Sequence, residues 1–406
     1  MELDIENIVP QLSVNAAFYP FDKQTYVVQQ TAHAHQLRVN QATYQLLSLV
    51  NGERTIEEIT TTYNQSLPIP ISVKDVYNTL FEQLSKWGII EDNKPIQQRQ
   101  KDAYLMLRFT LLPVSILNKV TPTLGFLFNP ILFYWLASAM VLSSCFLIRY
   151  VYSHLKFDTP ISPELAFWLY IIAGLSILSH ELGHVSACNK FGAKHGEIGF
   201  GFYLFMPVCY ADVTDAWKLP AAKRIIIDFA GVFMDLIFLH LCFLGIYFFK
   251  IQILMYVCIP IVMNILFNLN PFFRFDGYWV LADALGIPNL RAKSMTYFRD
   301  IISTKTKFDL SLKSILLFIY GALVWSLLFL FLSTILYYQS ASLWYFPIEV
   351  FDLLKTLIIN TKDFTFSYFQ SQISKIIIPV VFYITVWNLC RKQVITIKDF
   401  LHKTIQ

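Results

Sequence analysis

Uncharged runs long enough to cross a bilayer recur along this chain, and they leave few folds open to it. One of them, residues 165–179, ends directly in His180-Glu181-Leu182-Gly183-His184. Ionisable side chains at membrane depth are costly, so they persist mainly where they line a cavity, pair with one another or bind an ion. Two histidines four residues apart on a helix share one face and can hold one metal ion. The glutamate between them is placed to act on water at that ion. Composition points to the membrane as well, since 55% of the residues are apolar, only 15% are charged and mean hydropathy is +0.49. Soluble domains rarely have such a balance.

The formal charge of +4 over 406 residues gives no ground for a nucleic-acid partner. The six cysteines (Cys145, Cys188, Cys209, Cys242, Cys258, Cys390) lie in or beside apolar segments with no C-x-x-C pair. That scatter argues against a disulfide framework or a zinc knuckle and for small buried hydrophobes. The first hundred or so residues are mixed and polar, without a basic stretch followed by a cleavable apolar core. No cleaved signal peptide is therefore expected, and the N-terminus is expected on the side of synthesis.

Two short strands (residues 25–30 and 35–39) and three capped helices are expected before residue 93. Asn40 caps the first helix, Thr55 with Glu58 opens the second, and Ser72 with Asp75 opens a third that runs to Trp87. This reads as a winged-helix-like module. Residues 94–101 (KPIQQRQK) form a polar linker, and residues 104–117 are expected at the membrane interface. A span needs roughly 20 apolar residues. Residues 126–148, 165–188, 225–249, 251–270, 315–338 and 376–390 qualify, the third and fourth joined so closely at Lys250 that a hairpin or broken helix is required. Residues 341–362 carry Pro347, Glu349, Asp352 and Lys355 and read as an interfacial or re-entrant helix. The expectation is a mainly α, polytopic membrane protein of about six spans with a small soluble α+β N-terminal domain. Its divisions are residues 1–93, a linker and interfacial segment at 94–124, and a membrane domain at 125–406.

Cytoplasmic loops collect Lys and Arg. With the N-terminus inside, the loop after the second span holds Lys190, Lys194, Lys218, Lys223 and Arg224. The loop after the fourth holds Arg274, Arg291, Lys293, Arg299, Lys305, Lys307 and Lys313, and the tail holds Arg391, Lys392, Lys398 and Lys403. The opposite loops are poorer in basic residues. A multi-pass protein of the cytoplasmic membrane is implied, with N-terminus and active site on the cytoplasmic side.

Hydrolytic zinc usually keeps three protein ligands and leaves a fourth position open. The same topology returns Asp276, in Asn270-Pro-Phe-Phe-Arg-Phe-Asp-Gly277, to the side that holds His180 and His184. Pro271 breaks the fourth span, and Gly277 would permit a turn that aims Asp276 at the metal. Glu181 would then take the proton of a metal-held water and pass it to the leaving amine. Asn270 is a candidate donor to the developing oxyanion. Asp228 and Asp235, seven residues apart in the third span, share a face and read as structural hydrogen-bonding groups. The remaining histidines (His33, His35, His154, His195, His240, His402) read as surface or packing residues.

Through HELGH at 180–184 and the Asn-Pro-x4-Asp-Gly element at 270–277, the chain resembles the site-2 protease family of intramembrane zinc metallopeptidases. Over residues 179–290 it looks more narrowly like the branch called peptide zinc metalloproteases. The resemblance implies one Zn2+ on His180, His184 and Asp276, with Glu181 as catalytic base. The family's Gly-Pro-x-x-Asn element stands here as Gly231-Val-Phe-Met-Asp235, and no PDZ-sized insertion fits between His184 and Asp276. The N-terminal domain is similar to PqqD-like peptide-recognition domains, which add a peptide strand to a small sheet.

The resemblance implies an endopeptidase that matures or releases a small ribosomally made, bacteriocin-like precursor peptide. The precursor would bind the N-terminal domain, with a peptide-modifying enzyme or an ABC transporter as a further partner. Two alternatives stand beside it: site-2-type cleavage of a single-span regulator, and a non-catalytic export or immunity component with a structural zinc site. The segment Gly196-Glu-Ile-Gly-Phe-Gly-Phe202 is expected as an edge strand that holds substrate extended.

Overall fold

Helix-capping residues and alternating apolar positions organise the first ninety residues. Strands β1 (Ala16–Pro20), β2 (Thr25–Gln30) and β3 (His35–Asn40) form an antiparallel sheet in that order. The computed structural model describes residues 5–21, 25–33, 35–92, 95–97, 105–155, 162–203, 206–303, 308–358 and 375–387. They fall in two compact units, Met1–Pro288 and Asn289–Gln406. Asn40 closes β3 and caps α1 (Gln41–Ser48), its side chain accepting the Thr43 N–H at 2.8 Å. Helix α2 (Ile56–Asn64) starts in the reciprocal Thr55/Glu58 capping box. Helix α3 (Val73–Tyr77) starts in a second box, Ser72/Asp75, and continues through a π turn (Asn78–Leu84) and a 3-10 turn (Ser85–Trp87). Val28, Leu47, Ile56, Ile59, Val76 and Leu80 are wholly buried between sheet and helices. Strand β1 is an addition to the two expected strands; its sequence, AAFYP, has no clean alternation, and it is defined by pairing with β2.

The segment expected at the membrane interface contains a strand. β4 (Leu105–Leu112) pairs antiparallel with β5 (Ile198–Tyr203), which pairs with β6 (Met206–Ala211), so the order is β4-β5-β6. This corrects the edge-strand expectation, because residues 198–202 form the central strand and, among the described residues, the outer strands are β4 and β6. The reason is non-local: β4 comes from more than eighty residues earlier, and nothing near Gly196 announces it.

Helices α4 (Val114–Leu124), α5 (Pro130–His154), α6 (Pro163–Lys190), α7 (Ala221–Phe249) and α8 (Ile253–Asn268) follow the apolar runs, and α9 (Asp276–Ala284) closes this unit. Four helices in the described residues are long and apolar enough to cross a membrane: α5, α6, α7 and, in the second unit, α11 (Leu312–Tyr338). The other two expected spans are shorter apolar helices, α8 and Lys375–Trp387. Helix α7 is the central one, with 44% of its apolar stretch buried against 22% for α5 and 17% for α6. Phe133, Ala187, Ile227, Ala230 and Phe233 form its packing with α5 and α6, while Leu239, Ile246, Val257 and Ile261 join α7 to α8. Lys250 adopts a left-handed conformation (φ 57°) between α7 and α8, making the turn that the short connection demanded. Arg224, counted above as a loop charge, is inside α7 and only 4% exposed.

The second unit comprises α10 (Leu290–Ile302), α11, α12 (Ser340–Ile358) and Lys375–Trp387. Gly321 admits the Ser294 carbonyl against α11, a close approach that a side chain would block. Residues 341–358, expected as an interfacial or re-entrant helix, lie in α12, with Pro347 inside it. Much of the 94–101 linker, Lys156, Lys305, Lys307, Lys362, Cys390 and the basic tail with His402 lie outside the described residues.

Candidate metal centre

Helix α6 begins where Ser162 accepts the Leu165 N–H at 3.2 Å and Pro163 occupies the first turn, and it runs 28 residues to Lys190. Its last third turns His180, Glu181, Gly183 and His184 into the protein, and all four are buried. Gly183 allows the approach of α7: a Cβ there would stand 2.5 Å from the Ala230 carbonyl oxygen.

Each histidine is oriented by a partner on α7. His184 Nδ1 lies 2.7 Å from the Ile227 carbonyl oxygen, which can only accept, so Nδ1 carries the proton and Nε2 keeps its lone pair. His180 Nδ1 lies 2.7 Å from Asp235 Oδ2, and a carboxylate acceptor sets the same tautomer. Asp235 is fully buried and also accepts the Asn264 Nδ2 hydrogen at 2.8 Å, and Asn268 Nδ2 donates to Asn264 Oδ1 at 3.2 Å. The bundle role expected of Asp235 is therefore incomplete: its carboxylate orients a histidine of the cluster. The sequence signal that could have found it is a carboxylate in an apolar helix, costly unless partnered. Its partner, 55 residues away in the chain, was not legible.

Asp276 completes the cluster. Helix α8 ends at Asn268, Pro271 prevents its continuation, and α9 begins at Asp276 itself. Asp276 Oδ2 stands 3.1 Å from His180 Nε2 and 3.4 Å from His184 Nε2, and the two Nε2 atoms are 3.3 Å apart. Zinc–nitrogen bonds of about 2.0–2.1 Å in a tetrahedral arrangement set donor atoms roughly 3.3–3.4 Å apart. Two lone pairs and a carboxylate thus converge at ligand spacing, and Asp276 Oδ2 is a buried oxygen without a hydrogen-bond donor. These residues fit a metal ion. His180, His184 and Asp276 form the group of metal-ligating side chains found among the described residues.

Gly231 faces the cluster from α7, where any Cβ would collide with Nε2 of both histidines. Gly277 does a different task from the one expected. Its φ is not positive; its missing side chain lets α9 begin directly against the Leu269 carbonyl. Asn270 lies in the same loop, where its Oδ1 accepts the Phe272 N–H at 2.9 Å, so its described partner is loop backbone and not the cluster. Glu181 is 8% exposed, within electrostatic reach of Cys209 on β6. Burial, followed by the Glu181 carboxylate, pushes the Cys209 thiol up to about 11. Asp228, one turn before Gly231, lies in the field of Asp283, His184, Asp276 and Arg224. His240 is held by Ser143 at 2.7 Å and by the Leu236 carbonyl at 2.7 Å.

No known family model matches the chain, and no solved structure matches it. Over 125 residues it is 27% identical to a protein of Bacillus subtilis (strain 168) named "Putative peptide zinc metalloprotease protein YydH". The match covers 30% of this chain and 49% of that relative, so the chain spans about half of the relative's length.

Proposed function

We propose that this chain is a zinc-dependent endopeptidase of the cytoplasmic membrane, of the site-2 type, that cleaves a small ribosomally synthesised precursor peptide. The observation that carries the reading is the convergence of His180 Nε2, His184 Nε2 and Asp276 Oδ2 within 3.1–3.4 Å beside Glu181, at the end of a bilayer-length helix. The name of the Bacillus subtilis relative supports the same chemistry. One zinc ion, when bound, supplies Lewis acidity to water and to the scissile carbonyl.

The chain's own residues do the rest. Asp235 and the Ile227 carbonyl keep both Nε2 lone pairs on the metal side. Glu181 accepts a proton from the attacking water and returns it to the leaving amine. Asn270 offers its Nδ2 end to the developing oxyanion, since its Oδ1 is engaged by Phe272. A helical peptide bond is shielded by its own hydrogen bonds, and β6, whose Cys209 is within electrostatic reach of Glu181 and whose outer edge has no partner strand among the described residues, is suited to hold an unwound peptide extended. The outer edge of β3 has no partner strand among the described residues, which supports recruitment of the precursor to residues 1–93 by strand addition. Lys190, Lys194, Lys218 and Lys223, between α6 and α7 or at their ends, support a cytoplasmic location for N-terminus and site.

The test is the Glu181→Gln chain in detergent or lipid. It should bind zinc as the parent does and lose precursor cleavage, while chelation of the parent should abolish cleavage and zinc should restore it. Processing that persists in Glu181→Gln would sink the reading.

A further inference from the structure

The metal cluster draws its ligands from α6 and from the first residue of α9, so something must hold α9 in register. The contacts lead to the N-terminal sheet. Arg224 on α7 donates from Nε and from its terminal nitrogen to the two oxygens of Asp283 on α9, at 2.7 Å each, and its other terminal nitrogen donates to the Leu219 carbonyl at 2.7 Å. This forked pair is nearly closed to solvent, with side-chain exposures of 5% and 12%. The Phe21 ring, just beyond β1, covers it: the Arg224 guanidinium lies 4.0 Å from the ring centroid, and Arg38 of β3 lies 4.2 Å from it. Phe21 also stacks on Trp217 at 6.1 Å and 16°, and Trp217 meets the edge of Trp279 on α9 at 5.7 Å.

Two routes therefore run from Phe21 to α9, one through Arg224 to Asp283 and one through Trp217 to Trp279. Asp276, Trp279 and Asp283, at i, i+3 and i+7, occupy one stripe of α9. Arg224, Asp228, Gly231 and Asp235 occupy one stripe of α7. The ion pair thus lies along the same two faces as the metal cluster, two turns of α9 away from Asp276. A forked guanidinium–carboxylate pair fixes orientation as well as distance, and it holds best when water is kept off it.

We propose that Arg224 and Asp283 are positioning residues for Asp276, and that Phe21, supplied by the N-terminal sheet, holds their pairing in place. This rests on the metal-site reading above. The N-terminal sheet is then a structural component of the metal site as well as a recruiting surface, and a peptide that displaces Phe21 on binding would change the site.

The experiment uses the full-length chain in lipid nanodiscs loaded with Co2+, whose visible d–d absorption reports ligand number and symmetry. Phe21→Ala and Asp283→Asn should each weaken Co2+ binding on the order of 10-fold, the scale seen when groups that orient ligands are lost. Their d–d bands should change as the carboxylate leaves. Phe21→Tyr, which keeps a ring over Arg224, should restore both affinity and spectrum, whereas Phe21→Leu, which fills space without a ring, should not. Phe21→Ala with parental affinity and spectrum would overturn the proposal even if Asp283→Asn failed to fold. A parent chain that takes up no Co2+ would overturn the metal-site reading and this inference together; a parent that binds Co2+ equally with and without the Phe21 ring overturns only the inference.

Discussion

Gly231 carries no side chain at the point where α7 passes beneath the two histidines, and one methyl group there would occupy the space of both Nε2 atoms. Gly231→Ala is therefore expected to lower metal affinity on the order of 100-fold, at the upper end of what disturbing ligand orientation costs. Isothermal titration of the purified chain with zinc checks it, and near-parental affinity would refute the geometry. Asp235→Asn keeps the shape of the side chain but removes the carboxylate that sets the His180 tautomer. A 10–100-fold loss of metal affinity is expected. Cys209 supplies a pH test. Its thiol is raised from 9.0 to about 11, first by burial and then by Glu181. Since the thiolate is the reactive form, alkylation of Cys209 at pH 8 should be roughly 100-fold slower than for an ordinary cysteine and should accelerate towards pH 11. Rapid labelling at pH 8 would show that Cys209 is not buried as β6 places it. Of these residues, His180, Glu181, His184 and Asp276 were legible in the sequence, because ionisable groups in apolar surroundings are conspicuous. The task of Gly231 was not, since a glycine's role depends on what stands opposite it.

At the scale of elements, the bundle turns on the contact of α6 with α7. Gly183 brings the two backbones together and sets the distance from the histidines on one helix to Asp235 and Ile227 on the other. Adding a methyl group, Gly183→Ala, forces the helices apart. Overpacking of this kind costs about 1–3 kcal/mol. A lower thermal midpoint in detergent, together with weaker zinc binding, is the expected outcome, and a midpoint equal to the parent's would show that the contact is loose. The long helices α5, α6, α7 and α11 were readable from hydropathy and length, because a span must be apolar and continuous. The sheet β4-β5-β6 was not, because residues 105–112 and 198–203 carry no pattern that announces their pairing.

Across the first unit, the N-terminal sheet meets the connection between α6 and α7 at Asp215, in the 3-10 turn Thr214–Lys218. The carboxylate accepts hydrogen bonds from Gln29 Nε2 at 2.6 Å, from the Lys194 N–H at 2.7 Å and from Gln36 Nε2 at 3.4 Å, and it pairs with Lys218 at 2.6 Å. Burial alone would raise its pKa, but the Lys218 ammonium and the N–H donors from Lys194 and Gln29 outweigh that and hold it below the usual carboxylate range. A depressed carboxyl adds stability that is fully present above its unfolded pKa of about 3.9 and is lost as pH falls through the lower folded value. Docking of the sheet should accordingly be indifferent to pH between 5 and 8 and loosen only below about pH 4. Hydrogen exchange of β2 and β3 amides across that range checks the sign, and loosening near neutral pH would contradict it.

By itself the sequence determined that the chain is a mainly helical protein built from long apolar segments, with capped helices and short strands near its N-terminus and a pair of histidines at metal-ligand spacing on one helix face. These properties are local: hydropathy, capping and i,i+4 spacing are read within a few turns. Only the tertiary structure decided that Asp276 stands 3.1 and 3.4 Å from the histidines, that Asp235 orients one of them, and that the N-terminal sheet reaches α9 through Phe21 and Arg224. Those relations join residues tens to hundreds of positions apart, and packing alone sets the distance between them.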